Sequence, residues 1–219
     1  DRSIWVTLRT EEEDLAMIRE WWQRNGKPLM TGCVLALVLV FGWKGWQNYQ
    51  TDQAQNASML YQQLLNSMMD SNGQPDLAQV ASVAGNLQQE FPGTPYAQYG
   101  SLFMAKLAVE AGKLEEAQIQ LQGVLDKPAD ATLEELARQR LARVQAAMGK
   151  VEEALKLLEG KVDPAFQAAR EELKGDLLVQ LGRTDDARVA YEQAKLALSS
   201  EAAVGGVQMK LDDLAKKDE

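Results

Sequence analysis

The stretch Gly112-Lys113-Leu114-Glu115-Glu116-Ala117 returns as Gly149-Lys150-Val151-Glu152-Glu153-Ala154 and again as Gly182-Arg183-Thr184-Asp185-Asp186-Ala187, at offsets of 37 and 33 residues. On both sides of each copy, apolar residues recur at steps of three and four, the period of a helix with one buried face. A glycine can close one helix in a left-handed cap, and an acidic pair can open the next, where the helix dipole favours negative charge. The small alanine five residues after each glycine leaves room for the two helices to touch. Each copy is therefore a helix–turn–helix, and three such pairs are expected to stack. The expected fold class is all-α, and no alternating strand pattern competes with it.

A period near 34 residues is that of tetratricopeptide-like helix pairs. The third copy resembles that repeat best: Gly175, Gly182, Ala187, Tyr191 and Ala194 stand where the repeat has a small residue, Gly, Ala, an aromatic and Ala. The second has Ala142, Gly149 and Ala154 but Leu158 for the aromatic and Lys161 for the last alanine; the first has Ala105, Gly112, Ala117, Leu121 and Val124. An unrelated helical bundle is the alternative. Upstream, 49–69 is in helical register, 71–75 breaks it, 76–90 forms a helix, and the break Phe91-Pro92-Gly93-Thr94-Pro95 precedes another at Tyr96.

The other constraint is the uncharged run at 29–43, LMTGCVLALVLVFGW. Extended to Trp46 it makes roughly 27 Å of helix, close to the ~30 Å thickness of the hydrocarbon layer. Arg19, Arg24 and Lys27 precede it, while Lys44 is the last basic residue before Lys106. Basic residues are retained on the cytoplasmic side, so residues 1–28 are expected inside and everything after Trp46 outside. Trp21 and Trp22 before the run, and Trp43 and Trp46 after it, are spaced as two interfacial belts, and Pro28 suits a first helical turn. A buried helix of a soluble domain is the competing reading. No A-x-A site follows the apolar core, which disfavours a cleavable signal, and Cys33 opens that core instead of following it, which disfavours lipidation. Cys33 is the one cysteine, so the exported part is held by packing without a disulfide.

Ahead of the span, EEEDLAMIREWWQRN places Leu15, Ile18 and Trp22 on one helical face after four acids. It reads either as a docking element or as an interfacial anchor. The expected organisation is thus residues 1–10 unassigned, with disorder or an expression remnant as the two readings, then a cytoplasmic amphipathic helix at 11–27, a transmembrane helix at 28–46 and a tetratricopeptide-like periplasmic domain at 47–219.

Charge divides the same way. Residues 1–46 balance six basic against six acidic side chains, and residues 47–219 hold 17 basic against 26 acidic, so the net charge of −9 belongs to the exported part. Such a domain is a poor partner for nucleic acid. With no histidine, no cysteine outside the span, no phosphate loop and no G-x-S-x-G, the chain lacks the usual nucleophile, base and metal-ligand sets. No enzyme activity, cofactor or metal is expected. Carboxylate pairs such as Glu115/Glu116 read as helix starts and solvated faces.

Helix-pair repeats offer a concave surface for a partner peptide. Carried over from the repeat family in register, the groove positions are Tyr99, Leu102, Lys106, Val109, Gln139, Arg143, Ala146, Glu172, Asp176 and Val179. Lys106 and Arg143 would face an acidic segment, with Tyr99 and Leu102 as apolar anchors.

Taken together, EEEDLAMIREWWQRNGKP, the span ending FGWKGWQNYQ, the repeat RLARVQAAMGKVEEALKLL and the ending VQMKLDDLA resemble, in this order over about 10–215, the YfgM family of ancillary Sec-translocon subunits. The resemblance implies a single-span inner-membrane protein with its N-terminus in the cytoplasm and its repeat domain in the periplasm. It implies a non-enzymatic adaptor that associates with SecYEG and the membrane-anchored chaperone PpiD and helps hand exported, unfolded polypeptides to periplasmic chaperones. An envelope-stress regulator acting through the cytoplasmic segment and an envelope-assembly scaffold are the alternatives.

Overall fold

The computed structural model describes residues 3–69, 76–199 and 201–217. Among these residues there are nine helices and no strand: α1 (Ser3–Met68), α2 (Leu77–Glu90), α3 (Pro95–Glu110), α4 (Leu114–Asp126), α5 (Ala131–Ala147), α6 (Val151–Leu157), α7 (Pro164–Gln180), α8 (Thr184–Ala197) and α9 (Glu201–Lys217). They fall into two units, Asp1–Asp52 and Gln53–Glu219.

The first unit is helical from Ser3, so residues 3–10, unassigned from sequence, are part of α1. The helix runs through Pro28 without a break, which corrects the first-turn placement of that residue and leaves no gap between the expected amphipathic and spanning helices. Proline removes one backbone donor, the partner of the Arg24 carbonyl, while the Leu, Met, Arg and Gln residues around it favour helix enough to carry the chain through. Just beyond, Thr31 Oγ1 donates to the Lys27 carbonyl at 2.9 Å. Within Glu13–Met68 lies an apolar window long enough to cross a membrane, none of it buried.

The second unit begins with the end of α1 and continues as helix pairs. At four helix starts outside the three repeat turns a side chain caps the new helix: Asp76 accepts from the Ala78 and Gln79 amides at 3.1 Å, Thr94 from Ala97 at 3.2 Å, Asp130 from Leu133 at 2.8 Å and Asp163 from Ala165 at 2.9 Å. The expected break at 71–75 lies outside the described residues. The three repeat turns work differently. Gly112, Gly149 and Gly182 adopt φ of 73°, 81° and 71°, a conformation that costs other residues a steric clash. The next amide then reaches back over the turn, as Lys113 N does to the Ala108 carbonyl at 2.8 Å and Arg183 N to that of Leu178 at 2.9 Å.

Ala117, Ala154 and Ala187, five residues after each glycine, are fully buried where the paired helices meet. Four apolar clusters follow one another along the chain: the end of α1 with α2 around Leu64 and Leu87, then α3–α5 around Leu121 and Leu141, then α5–α7 around Leu158 and Leu177, then α7–α9 around Tyr191 and Val207. Because α5 and α7 each serve two clusters, the pairs stack through shared helices, as a repeat array requires.

Candidate partner-binding groove

A cavity of about 620 Å³ lies among the end of α1, α3, α4 and α5. Leu102, Leu121 and Val144, all buried, form its floor. Tyr99 stands at one end with Tyr61, their ring centroids 5.4 Å apart, and Tyr96 lies 5.6 Å from Tyr61 on the same cluster. Burial, followed by the neighbouring Tyr99 and Tyr96, raises the Tyr61 phenol above its ordinary range, and its ring packs as aromatic surface against the other two. The rim is polar and exposed: Lys106 and Glu110 on α3, Arg140 and Arg143 on α5.

Five of the ten expected groove residues meet here: Tyr99, Leu102, Lys106, Val109 and Arg143. Ala146 and Asp176, again with Arg143, line a neighbouring cavity of about 270 Å³ between α5 and α7. The other three do not face an open groove. Gln139 is only 7% exposed and donates to Glu135 Oε1 at 3.0 Å. Glu172 is bound to Lys210 of α9 at 2.7 Å, and Val179 packs against the α7–α9 cluster. The position of Gln139 is a register correction. The cavity face of α5 carries Leu136, Arg140, Arg143 and Ala147, spaced by four, three and four, and one residue turns a helix by about 100°. That i, i+4, i+7 spacing was the available signal for Arg140.

Lys106, expected to face an acidic segment, has Glu110 of its own helix at 3.7 Å. Arg143 donates at 3.4 Å to the Gln139 carbonyl and has no carboxylate partner among the described residues, and neither does Arg140. Desolvation first, and then the charge of Arg143, lowers the pKa of Arg140, so the two guanidinium groups oppose each other at the rim.

Behind the rim, Glu135 of α5 and Arg170 of α7 form a buried ion pair, 7% and 4% exposed. Arg170 Nε donates to Glu135 Oε1 at 2.9 Å, its Nη2 donates to Oε2, and Nη1 reaches the Gly160 carbonyl at 3.4 Å. Burial would push the Glu135 carboxyl up, but the hydrogen bonds from Arg170 and Gln139 and the charges of Arg170 and Arg138 outweigh it and hold the group below the usual carboxylate range. This pair joins the second helix pair to the third.

At the far end, α9 packs on α8 and reaches α7 with its side chains. Lys210 Nζ lies 2.6 Å from Asp176 Oδ1 and 5.6 Å from the Tyr191 ring centroid, and the Tyr191 hydroxyl donates to the same Asp176 oxygen at 2.8 Å. Val207, Leu211 and Leu214 of α9 are buried against α7 and α8. In the first unit, Trp21, Trp22, Trp43 and Trp46 are all exposed, with the last two rings 5.6 Å apart.

The family described as tetratricopeptide repeat-like domain matches residues 19–216. The chain is similar to the protein named ancillary SecYEG translocon subunit of Escherichia coli (strain K12), 30% identical over 208 residues that cover 94% of this chain and 97% of that protein. It is likewise similar to the protein of that name from Haemophilus influenzae, at 30% over 204 residues (93% and 97%), and from Neisseria gonorrhoeae, at 28% over 206 residues (93% and 97%).

Proposed function

Because the chain belongs to the family of ancillary SecYEG translocon subunits, with its tetratricopeptide repeat-like domain, we propose that it is a non-enzymatic adaptor held at the Sec translocon by α1. On this reading residues 1–27 are cytoplasmic, 28–46 cross the inner membrane, and 47–219 form a periplasmic domain that binds a PpiD-like chaperone and assists the handover of exported polypeptides. The observation that carries it is the pairing, in one chain, of a fully exposed apolar helical window with a repeat domain that holds an apolar cavity of about 620 Å³. Apolar surface left exposed in this amount marks a membrane or protein contact, and the cavity is of the size that takes a few partner side chains.

The test replaces 28–46 by an unrelated transmembrane helix. SecYEG copurification should weaken while chaperone binding persists, and a reporter fused after Trp46 should be active only when exported. Reporter activity in the cytoplasm overturns the orientation. A full-length chain that still retains SecYEG after the exchange, and binds a partner through residues 1–28 instead, overturns the adaptor reading in favour of a cytoplasmic regulator.

A further inference from the structure

The groove between α3 and α5 has a cation pair that the fold does not use. Of the three cations on its rim, Lys106 has Glu110 beside it, whereas Arg140 and Arg143, three residues apart on one face of α5, have no carboxylate partner among the described residues. This is unusual in a chain of net charge −9, where acidic side chains outnumber basic ones 32 to 23. The other arginines of the repeats each have a carboxylate beside them: Arg138 with Glu134, Arg170 with Glu135, Arg183 with Asp186 at 2.7 Å and Arg188 with Asp185 at 3.1 Å. Two guanidinium groups held together without a counter-charge repel each other, and an anion placed between them relieves that repulsion while it gains charge-assisted hydrogen bonds.

Beneath the two arginines the surface is apolar: Leu102, Leu136 and Val144, with Tyr61 and Tyr99 at one end. A bare inorganic anion would leave that floor wet. A ligand that satisfies both parts carries a carboxylate at its edge and apolar or aromatic side chains beside it.

We propose that the α3–α5 groove binds an internal segment of a partner protein that combines leucine or aromatic side chains with carboxylates, the carboxylates docking on Arg140 and Arg143. This rests on the reading of the repeats as the partner-binding half of the adaptor. It deepens that reading by naming the chemistry recognised and by moving the anion contact from Lys106 to Arg140. At the C-terminal end of the array the corresponding cation, Lys210 of α9, is already taken by Glu172 and Asp176 of α7.

The experiment uses the full chain in detergent micelles and three fluorescent decapeptides blocked at both ends. One carries leucine, phenylalanine and four carboxylates, the second has the same residues with amides in place of the acids, and the third has lysine in place of the acids. The acidic peptide should bind, and its affinity should fall by about tenfold or more on Arg140→Gln with Arg143→Gln and fall with added salt, as charge-assisted contacts require. The amide peptide should bind more weakly, and equally to both proteins. An unchanged thermal melt of the double variant separates this loss from unfolding. Acidic and amide peptides that bind alike, a double variant that binds the acidic peptide as the parent does, or no binding by the parent up to about 1 mM each overturn the proposal. So does self-association of the parent that the double variant abolishes, which would assign the groove to a second copy. None of these outcomes touches SecYEG copurification, so the adaptor reading stands or falls separately.

Discussion

The first and third repeats begin from the same hexapeptide pattern and end in opposite states. In the α3–α4 pair, Ala105 faces the cavity and Leu121 fills the contact beneath it, leaving the surface toward α5 open. In the α7–α8 pair the equivalent positions are Gly175 and Tyr191. A Cβ on Gly175 would lie 2.4 Å from the Tyr191 ring, so the larger ring is accommodated only because the facing residue has no side chain. The same tyrosine then reaches Asp176 and, through it, Lys210 of α9. A change of residue size at two positions thus separates an end of the array that is sealed by its own chain from an end that remains available.

The joint between the two ends is the most sensitive place to test this. Glu135→Leu should leave Arg170 buried without its counter-charge and destabilise the protein by about 3–5 kcal/mol, and Arg170→Met in the same chain should recover much of that. Urea unfolding of the full chain followed by circular dichroism measures both. A second variant no more stable than the first would mean that the pair is not the joint. The sign with pH follows from the lowered Glu135 pKa: its contribution is present above the unfolded carboxylate value of ~4.3 and is lost as pH falls through the lower folded value. Glu135→Leu should therefore flatten the acid limb of the stability profile.

Gly175→Ala should cost about 1–3 kcal/mol by driving Tyr191 out of position, and Tyr191→Leu alongside it, which recreates the alanine–leucine pairing of the first two repeats, should cost less than the sum of the single changes. Additive costs would sink the size-pairing account. Ala187→Leu should overpack the α7–α8 contact by a similar ~1–3 kcal/mol, whereas Glu153→Leu on an exposed helix start should stay within about 0.5 kcal/mol. The α9 clasp is expected to matter less than either overpacking change. Its ion pairs are partly exposed, so Lys210→Met should cost no more than about 1 kcal/mol. Burial alone would lower the Lys210 pKa, but hydrogen bonds and charge from Asp176 and Glu172 raise it, and burial with the Asp176 hydrogen bond raises that of Tyr191. Both contributions are complete below the unfolded values of about 10 and are lost as pH climbs through the raised folded ones. An alkaline melting series on the parent and the Lys210→Met variant tests this, and identical alkaline profiles would remove the clasp from the account.

Most of the helical frame was readable because its signals are local. A left-handed turn needs a glycine, a helix start welcomes acids, and a close contact needs alanine; those demands recur at Gly112, Gly149 and Gly182 whatever lies around them. The groove was half readable. Tyr99, Leu102, Lys106, Val109 and Arg143 meet at the cavity as the repeat register implies, but Gln139 is turned inward to the Glu135–Arg170 pair, and Arg140 takes the rim. Spacing alone leaves two adjacent residues of a half-exposed helix nearly equivalent, and the choice between them depends on Glu135, which is itself held by Arg170, 35 residues further on in α7.

What the sequence determined by itself is therefore what one stretch of chain can specify: helices with their caps, three glycine turns, an uncharged run of spanning length and the placement of charge on either side of it. Tertiary structure alone decided which carboxylates are free and which are claimed, because Glu172 and Asp176 look as exposed in the sequence as any acid until α9 folds back and places Lys210 between them. It also decided that Arg140 and Arg143 stand without a counter-charge among the described residues. Electrostatic pairing depends on distance through space, and only packing brings residues 34 apart, such as Asp176 and Lys210, within 2.6 Å while leaving two arginines on one helix face without a carboxylate partner among the described residues.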